Sequence, residues 1–257
     1  MASARPVLEV TDLRVAYGAL VALDGVSWAV REGEILGLIG PNGAGKSSCY
    51  DAVTNLVRRS GRVVLDGEDV TSVPAHELAA RGLKRAFQQN AFFNDLSVLE
   101  NMIAVLQDRH GSGFLTSLLA PMREASGRAA ARQAAIAHLR RFGVPDEYHD
   151  LKPPTVPYGV QRMLSIALAH GAEARVLMLD EPAAGLGGAD MQRLVDLLVS
   201  LRDGGLALVV IEHHMDLIMS VADQIYVLDQ GRPLAHGTPR QVQADERVLE
   251  AYLGRVE

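Results

Sequence analysis

The stretch GPNGAGKSS at residues 40–48 decides the fold of this chain. It fits the pattern G-x-x-x-x-G-K-[ST] and lies directly between an apolar segment and a segment predicted to be helical. Glycines let the backbone wrap around a phosphate, while the loop N–H groups and the helix N-terminus supply positive potential. We therefore predict a phosphate-binding loop that contains the cofactor-binding residues Gly40, Pro41, Asn42, Gly43, Ala44, Gly45, Lys46, Ser47 and Ser48.

Two side chains of this loop have specific chemistry. Lys46 is expected to neutralise β- and γ-phosphate oxygens, and the hydroxyl of Ser47 is expected to bind Mg²⁺. The alternative is a chance glycine-rich turn. The flanking strand and helix disfavour that alternative, because a phosphate loop requires both.

A second motif, RVLMLDEP at residues 175–182, places two carboxylates at the end of an apolar strand. Ligands of open α/β sheets bind at the carboxyl ends of the strands. Asp180 is predicted to hold Mg²⁺, and Glu181 to orient or deprotonate an attacking water. An acidic pair that ends a strand is usually only a solvated loop start. Its position downstream of a phosphate loop favours the catalytic interpretation.

The apolar pattern predicts an α/β fold with a mostly parallel sheet. The segments RVLMLDE and LALVVIEHH are two strands separated by a helix, which implies a parallel pair and a right-handed crossover. EILGLIG, at residues 34–40, is apolar on both faces and predicts a central strand. The crossover helix places four leucines on one face, namely Leu194, Leu197, Leu198 and Leu201.

Other segments predict antiparallel strands and helices around this core. Residues 6–40 predict several short strands that break at Gly and Asp, the last of them EILGLIG. GRVVLDGEDVT predicts a hairpin with a turn at Asp66 and Gly67, and IYVLDQGRPLAHG predicts another hairpin. Helix formers dominate residues 97–144, which we interpret as a helical insertion. RQVQADERVLEAYLG predicts one final amphipathic helix.

Composition restricts the function further. The 257 residues carry a net charge of −6, which offers no general attraction to nucleic acid. The single cysteine, Cys49, favours a reducing compartment and a buried structural thiol. The N-terminus lacks the apolar core of a signal peptide, and the longest apolar runs are too short to cross a bilayer. We expect a soluble, cytoplasmic chain whose membrane role depends on a partner.

Together these motifs resemble the nucleotide-binding subunits of ATP-binding cassette (ABC) transporters, from LEVTDLRVAYGALVALDGVS to VLEAYLG. AFQQNAFF, SVLENM, YGVQR, LDEPAAGL and IEHHMDLIM are most similar to the branched-chain amino-acid (leucine/isoleucine/valine) importer branch. The resemblance implies a single P-loop ATPase domain over residues 1–257. Residues 1–88 and 171–257 would form the nucleotide-binding core with an antiparallel β subdomain, and residues 89–170 a helical subdomain.

The resemblance also assigns roles to single residues. Tyr17 matches the aromatic that stacks on adenine. Gln88 matches the glutamine that touches Mg²⁺ and the attacking water, and is expected to be both catalytic and metal-binding. His213 matches the catalytic histidine that hydrogen-bonds the γ-phosphate and steadies the region of Glu181. His214 stands where the family often has an acid, and we expect it to be solvated.

In this family two cassettes close head to tail, and the signature helix of one chain faces the nucleotide of the other. VPYGVQR occupies the signature position, with Tyr158, Gly159 and Gln161 as predicted nucleotide contacts. Pro157 replaces the usual serine and supplies neither a hydroxyl nor an N–H. One hydrogen bond to a charged group contributes about 1.5–3 kcal/mol, so we predict a slowed contact rather than a dead one. Gly187 likewise replaces the usual Asp or Asn of the coupling loop.

The resemblance implies an ATP hydrolase that uses ATP and Mg²⁺ and pairs with a second cassette, as a homodimer or a heterodimer. It would bind transmembrane permease subunits at the inner face of the cell membrane and serve a solute-binding protein indirectly. The implied cargo is a branched-chain amino acid or a related small polar solute. Urea transport, lipid export and a soluble ABC ATPase outside transport remain alternatives. A phosphoryl-transferring kinase would not need YGVQR, LDEP and EHH in this order.

Overall fold

The computed structural model describes residues 5–86, 91–107, 121–171 and 174–253. The chain divides into two compact units. The first comprises Met1–Gln88 and Ala174–Glu257, and the second comprises Gln89–Glu173. We call them the core unit and the helical unit.

A mainly parallel sheet forms the centre of the core unit. Its strand order over the described residues is β10-β9-β3-β8-β7-β6, with β10 antiparallel to β9 and the other pairs parallel. The strands are β3 (Ile35–Ile39), β6 (Leu83–Ala86), β7 (Val176–Asp180), β8 (Ala207–Ile211), β9 (Gln224–Asp229) and β10 (Arg232–Gly237). β3 lies between β8 and β9, and all its residues are buried. The predicted α/β class and the predicted central strand are both confirmed.

The described residues of the core unit also form helices. They are α1 (Lys46–Val53), α2 (Ala75–Ala80), α6 (Gly188–Asp203), α7 (Met215–Val221), α8 (Pro239–Gln243) and α9 (Glu246–Leu253). The four leucines predicted to share one face of α6 are all buried. Because β7, α6 and β8 follow one another and the strands pair in parallel, the predicted parallel pair with a helical crossover is confirmed, whereas its right-handedness stays a prediction.

An antiparallel sheet completes the core unit, with the order β2-β1-β4-β5 in the described part of the chain. Its strands are β1 (Leu8–Tyr17), β2 (Leu20–Val30), β4 (Ser60–Leu65) and β5 (Glu68–Asp69). The prediction of several short strands at the N-terminus was wrong, because β1 and β2 are long. Asp12 and Gly25 adopt positive φ of 48° and 77° inside these strands, and the β1–β2 register shifts near Asp12. Local irregularities of this kind accommodate extra residues while the strands remain paired, so residues that resemble strand breaks can lie inside a strand.

Both predicted hairpins are confirmed. Asp66 and Gly67 have φ of 49° and 82° between β4 and β5, and Gln230 and Gly231 have φ of 47° and 77° between β9 and β10. Two consecutive positive φ angles are typical of the type I′ turn, whose twist matches the twist of the paired strands.

Helix α1 packs into the core between the two sheets. The hydroxyl oxygen of Tyr50 lies within hydrogen-bond distance of two acceptors, the backbone carbonyls of Ala86 and Met178, and so connects α1 to β6 and β7. Cys49 is fully buried, and burial raises the pKa of its thiol to about 12. The predicted structural role of this cysteine is confirmed.

The helical unit contains α3 (Val98–Gln107), α4 (Pro121–Arg141) and α5 (Tyr158–His170), with short 3₁₀ turns at Asp146–Tyr148 and Pro153–Thr155. Leu99, Met102 and Phe142 are among its fully buried side chains.

The C-terminal segment differs from the prediction of one helix. It forms α8 and α9, which are separated at Ala244 and Asp245. The Asp245 carboxylate accepts a 3.0 Å hydrogen bond from the N–H of Arg247. Because an aspartate at this position caps an N-terminus, a new helix starts there.

Candidate nucleotide-binding site

The phosphate loop leaves the end of β3 and enters α1 at Lys46, as predicted. Gly40 and Gly45 have φ of 156° and 100°. A Cβ at Gly40 would lie 2.2 Å from the carbonyl oxygen of Leu228, and one at Gly45 would lie 2.7 Å from that of Ala22. Backbone atoms cannot move aside as a side chain can, so the loop path requires glycine at both positions.

Lys46 is buried within the loop. Its Nζ donates hydrogen bonds of 2.7 Å to the Gly40 carbonyl and 3.1 Å to the Pro41 carbonyl. Burial lowers the pKa of Lys46, and the nearby carboxylates of Glu181 and Asp180 oppose that shift. The two predicted carboxylates therefore lie close enough to interact with Lys46.

A cleft of about 650 Å³ opens on this loop. Such a volume lies within the range of small-molecule sites. Tyr17, Leu20 and Val21 form an exposed apolar end, and Glu181 contributes a carboxylate. The cleft is lined by Tyr17, Leu20, Val21, Ala22, Asn42, Gly43, Ala44, Gly45, Lys46, Ser47, Ser48, Glu181, Ile211, Gln230 and Gly231. Tyr17 thus shares one cleft with the phosphate loop, although more than twenty residues separate them in sequence.

The acidic pair lies at the carboxyl end of β7, as expected. Glu181 follows the strand with φ of 47°, an unusual conformation for a non-glycine residue. Burial and the neighbouring Glu181 charge raise the pKa of Asp180. The Asp180 carboxylate and the Ser47 hydroxyl offer the hard oxygen ligands that Mg²⁺ prefers, so the donor set fits that ion.

His213 lies beside Glu181. Its Nδ1 is 3.3 Å from Glu181 Oε1, and about half of its side chain is exposed. The structure therefore brings together a histidine and a carboxylate that were predicted from two different strands. The distance between the Glu181 and His213 side chains could not be predicted from the sequence.

Sequence reasoning missed Glu212, which is completely buried. Glu212 Oε1 accepts a 2.7 Å hydrogen bond from the N–H of Ala183, and Oε2 accepts 3.0 and 3.2 Å bonds from the N–H groups of His213 and His214. His214 Nδ1 also lies 3.2 Å from Glu212 Oε2. The His214 side chain is thus 40% exposed, in line with the expected solvation, and it also contacts the buried Glu212, which the sequence did not predict. An acid directly after the apolar strand ALVVI was the available signal.

The signature residues belong to the helical unit. Pro157 is the N-cap of α5, and its carbonyl accepts a 3.0 Å hydrogen bond from the N–H of Gln161. Tyr158 is exposed, Gly159 is buried, and Gln161 Nε2 donates to the Val156 carbonyl at 2.9 Å. Proline is thus accommodated at this helix start.

Gln88 and Gly187 are two further positions that the sequence singled out. Gln88 lies outside the described residues, so its predicted contacts stay a prediction. Gly187 is the N-cap of α6 with φ of −153°, a backbone conformation that any residue adopts. Local strain therefore does not explain the glycine at this position.

The fold and the cleft define a class, the P-loop nucleotide-binding α/β proteins. Within that class, residues 23–184 match the family model of the ABC transporter, and residues 232–257 match that of the branched-chain amino acid ATP-binding cassette transporter. The chain belongs to the ABC transporter family as an ATP-binding subunit. It is an ATPase whose substrate is ATP with Mg²⁺.

Several relatives extend over almost the whole chain. It is 39% identical over 254 residues to the high-affinity branched-chain amino acid transport ATP-binding protein BraF of Pseudomonas aeruginosa, covering 97% of this chain and 98% of that protein. LivG of Escherichia coli, with the same description, is 34% identical, again covering 97% and 98%. The lipopolysaccharide export system ATP-binding protein LptB of Escherichia coli is 34% identical, covering 96% of this chain and 97% of that protein.

Solved structures agree with the fold. The ADP conformation of an ATP-binding cassette from an ABC transporter superposes with a TM-score of 0.83 at 27% identity, covering 98% of this chain and 100% of that one. A nucleotide-free cassette gives a TM-score of 0.80 at 26% identity, covering 98% and 100%. Among the helices of the described residues, none combines the length and apolar character that crossing a bilayer requires.

Proposed function

We propose that the cleft of the core unit binds ATP with its adenine on Tyr17 and its phosphates on the loop around Lys46. The observation that carries this proposal is the shared lining of one cleft by Tyr17, the phosphate loop and Glu181. Tyr17 offers an exposed aromatic face for stacking. Lys46 and the N–H groups at the start of α1 neutralise phosphate charge. On this assignment the remaining loop residues shape the phosphate cradle.

Glu181 is the proposed catalytic base. It accepts a proton from the water whose oxygen bonds to the γ-phosphorus, while the bond to the ADP oxygen breaks. His213, 3.3 Å away, orients the Glu181 carboxylate and donates a hydrogen bond to the γ-phosphate. Ser47, Asp180 and Gln88 would hold Mg²⁺, which would supply positive charge to the phosphate oxygens.

We further propose that residues 1–88 and 171–257 act as the nucleotide-binding core and residues 89–170 as the helical subdomain. The division of the chain into two compact units supports this arrangement, with the second boundary between Glu173 and Ala174 instead of after residue 170. The N-terminus of α5, with Tyr158, Gly159 and Gln161, would contact the nucleotide held by a second cassette. Each nucleotide would then lie between two chains, and closure of the pair would be transmitted to the permease subunits.

The proposed transport process is the import of branched-chain amino acids with a permease and a solute-binding protein. The match at residues 232–257 and the similarity to BraF and LivG support it. On this proposal the chain lies in the cytoplasm, peripheral to the inner face of the membrane. Lipid export is the second candidate, because LptB is 34% identical over nearly the full length.

The proposed chemistry is tested by ATP turnover of the purified chain and its Glu181→Gln variant. Loss of a general base lowers kcat by about 10²–10⁴-fold, while the affinity for Mg-ATP should change little because Lys46 and the loop are intact. Glu250→Gln, an exposed position on α9, is the matched control and should retain wild-type turnover. Equal turnover of the wild type and Glu181→Gln would overturn the assignment of Glu181.

The proposed cargo is tested by uptake of labelled leucine in source cells that lack this chain. Wild-type chain should restore uptake, and Glu181→Gln should not. Normal leucine uptake in the deletion strain, together with a defect in surface lipopolysaccharide, would instead favour lipid export.

A further inference from the structure

Arg85, on β6, contacts three residues of α1 at once. Its Nη1 donates hydrogen bonds of 3.0 Å to Asp51 Oδ1 and 3.0 Å to Thr54 Oγ1. Its guanidinium carbon lies 4.3 Å from the centre of the Tyr50 ring, within the range of a cation–π interaction. A planar guanidinium can bond a carboxylate and stack on an aromatic ring together. One side chain therefore connects β6 to two successive turns of α1.

The residues that Arg85 contacts share one face of α1 with Ser47, a proposed Mg²⁺ ligand. Tyr50, Asp51 and Thr54 follow Ser47 by three, four and seven positions. Residues at these spacings lie on the same side of a helix. Ser47 belongs to the first turn of α1, which begins at Lys46. A shift or rotation of α1 against the sheet would therefore move the Ser47 hydroxyl as well.

The same contacts extend to β7, the strand that carries Asp180. Arg85 pairs with Met178 in the parallel register, and the Tyr50 hydroxyl oxygen lies 3.0 Å from the Met178 carbonyl oxygen. Because side chains alternate along a strand, Asp180 lies on the same face of the sheet as Met178. Burial and the charge of Glu181 raise the pKa of Asp180, and the charge of Arg85 opposes that shift. Arg85 is thus close enough to act on the Asp180 carboxylate through its charge.

We propose that Arg85 is a positioning residue for the Mg²⁺ site, which keeps Ser47 on α1 and Asp180 on β7 at the separation that the ion requires. This inference rests on the proposed function, because it uses the proposed Mg²⁺ ligands. Mg²⁺ demands near-octahedral geometry with oxygen ligands at about 2.0–2.1 Å, so a small displacement of one ligand weakens binding. Loss of a residue that orients metal ligands typically lowers metal affinity by about 10–100-fold.

An ion pair that only stabilises the fold is the alternative to a positioning role. Arg62, on β4, offers a comparison, because its Nε lies 2.7 Å from Asp69 Oδ2. Both arginines pair with an aspartate of the core unit, but Arg62 belongs to the antiparallel sheet, and its pair is more exposed than that of Arg85. Loss of either pair should lower stability. Only the loss of Arg85 should change the response of the chain to Mg²⁺.

The test measures the affinity of the full chain for a fluorescent, non-hydrolysable ATP analogue in Mg²⁺ and in EDTA. The ratio of the two affinities reports what the Mg²⁺ ligands of the protein contribute to binding. Arg85→Met removes the guanidinium but keeps an unbranched side chain, and it should lower this ratio by about tenfold. Its affinity in EDTA should change much less, because hydrogen bonds to phosphate tolerate wider geometry than Mg²⁺ coordination does. Arg62→Met is the matched control and should keep the wild-type ratio.

Circular dichroism verifies that Arg85→Met is folded, and Arg85→Lys serves as a second variant if it is not. An ammonium keeps the charge but lacks the planar fork, so the ratio for Arg85→Lys should also fall below that of the wild type. A wild-type ratio in the folded Arg85 variant, or an equal loss of affinity in Mg²⁺ and in EDTA, would overturn the positioning role. A wild-type chain whose affinity does not respond to Mg²⁺ would instead contradict the proposed Mg²⁺ ligands, and this inference with them.

Discussion

The backbone N–H of Ala183 donates a 2.7 Å hydrogen bond to the Oε1 atom of the fully buried Glu212. This bond joins the segment that follows β7 to the segment that follows β8. Glu181 and His213 lie on these two segments, next to the bonded pair. Their separation of 3.3 Å therefore depends on a residue that is neither proposed as the base nor part of the phosphate loop.

Glu212→Ala should destabilise the core unit. It removes the acceptor of the N–H groups of Ala183, His213 and His214, and a buried unsatisfied donor costs about 1–3 kcal/mol. We expect the free energy of unfolding to fall by about 2–4 kcal/mol in urea titrations. Glu250→Ala, on the exposed face of α9, should change it by less than about 0.5 kcal/mol. Similar values for the two variants would contradict the assigned role of Glu212.

Gly40→Ala should disrupt the phosphate loop, because the new Cβ would lie 2.2 Å from the Leu228 carbonyl oxygen. We expect a loss of about 2–4 kcal/mol in unfolding free energy, and weaker ATP binding in a fluorescent-nucleotide titration. Gly127 in α4 has open space around its added Cβ. Gly127→Ala should therefore stabilise the helix by about 0.5–1 kcal/mol. If Gly40→Ala retained wild-type ATP affinity, the loop would accommodate the added Cβ and this prediction would be wrong.

Pro157→Ser should increase ATP turnover in the assembled dimer. Serine restores a hydroxyl and an N–H at the start of α5, and one hydrogen bond to a charged group corresponds to roughly a ten- to 150-fold effect. Pro74 supplies the matched control, because it caps α2 with φ −58° and ψ 147°, against −53° and 147° for Pro157. Pro74→Ser should leave turnover unchanged. An unchanged rate in Pro157→Ser would mean that this position does not meet a nucleotide.

The helical unit should lose stability on mild acidification through His138. Burial, and then the charge of His170, lower the pKa of His138 from 6.5 to about 4. Its Nε2 lies 3.2 Å from the Ala167 carbonyl, and its ring stacks on Phe142. Between pH 6.5 and pH 4 the unfolded chain binds the proton and the folded chain does not. Stability therefore falls as pH falls through this window.

The free energy of unfolding should fall by about 1 kcal/mol between pH 7.5 and pH 5. This value allows for the partial exposure of His138, which weakens the effect. The measurement is urea unfolding at the two pH values. His138→Gln keeps an amide donor for the Ala167 carbonyl but does not titrate, so its loss should be smaller than that of the wild type by this amount. Equal losses would exclude His138 as the titrating group.

Much of the fold was predictable because each signal was local. EILGLIG predicted a central strand, since a strand buried on both faces must be apolar throughout. Asp66-Gly67 predicted a hairpin turn through its positive φ angles. The predictions that were wrong concern segments whose structure depends on packing against residues far away in the sequence. Asp12 and Gly25 resemble strand breaks but lie within long paired strands, and Asp245 divides a segment whose periodicity predicted one helix.

The order of motifs along the chain determined the class of this protein. Gly40 and Lys46 are recognisable from sequence because a phosphate loop needs particular residue types at fixed spacing. Asp180 is recognisable because it ends an apolar strand downstream of that loop. Only the tertiary structure decided which groups meet. Glu212 is one acid among many in the sequence, and it becomes significant because β8 pairs beside β7 and buries its carboxylate against the N–H of Ala183. Local chemistry is encoded in short motifs, whereas distances between motifs follow from the packing of the whole sheet.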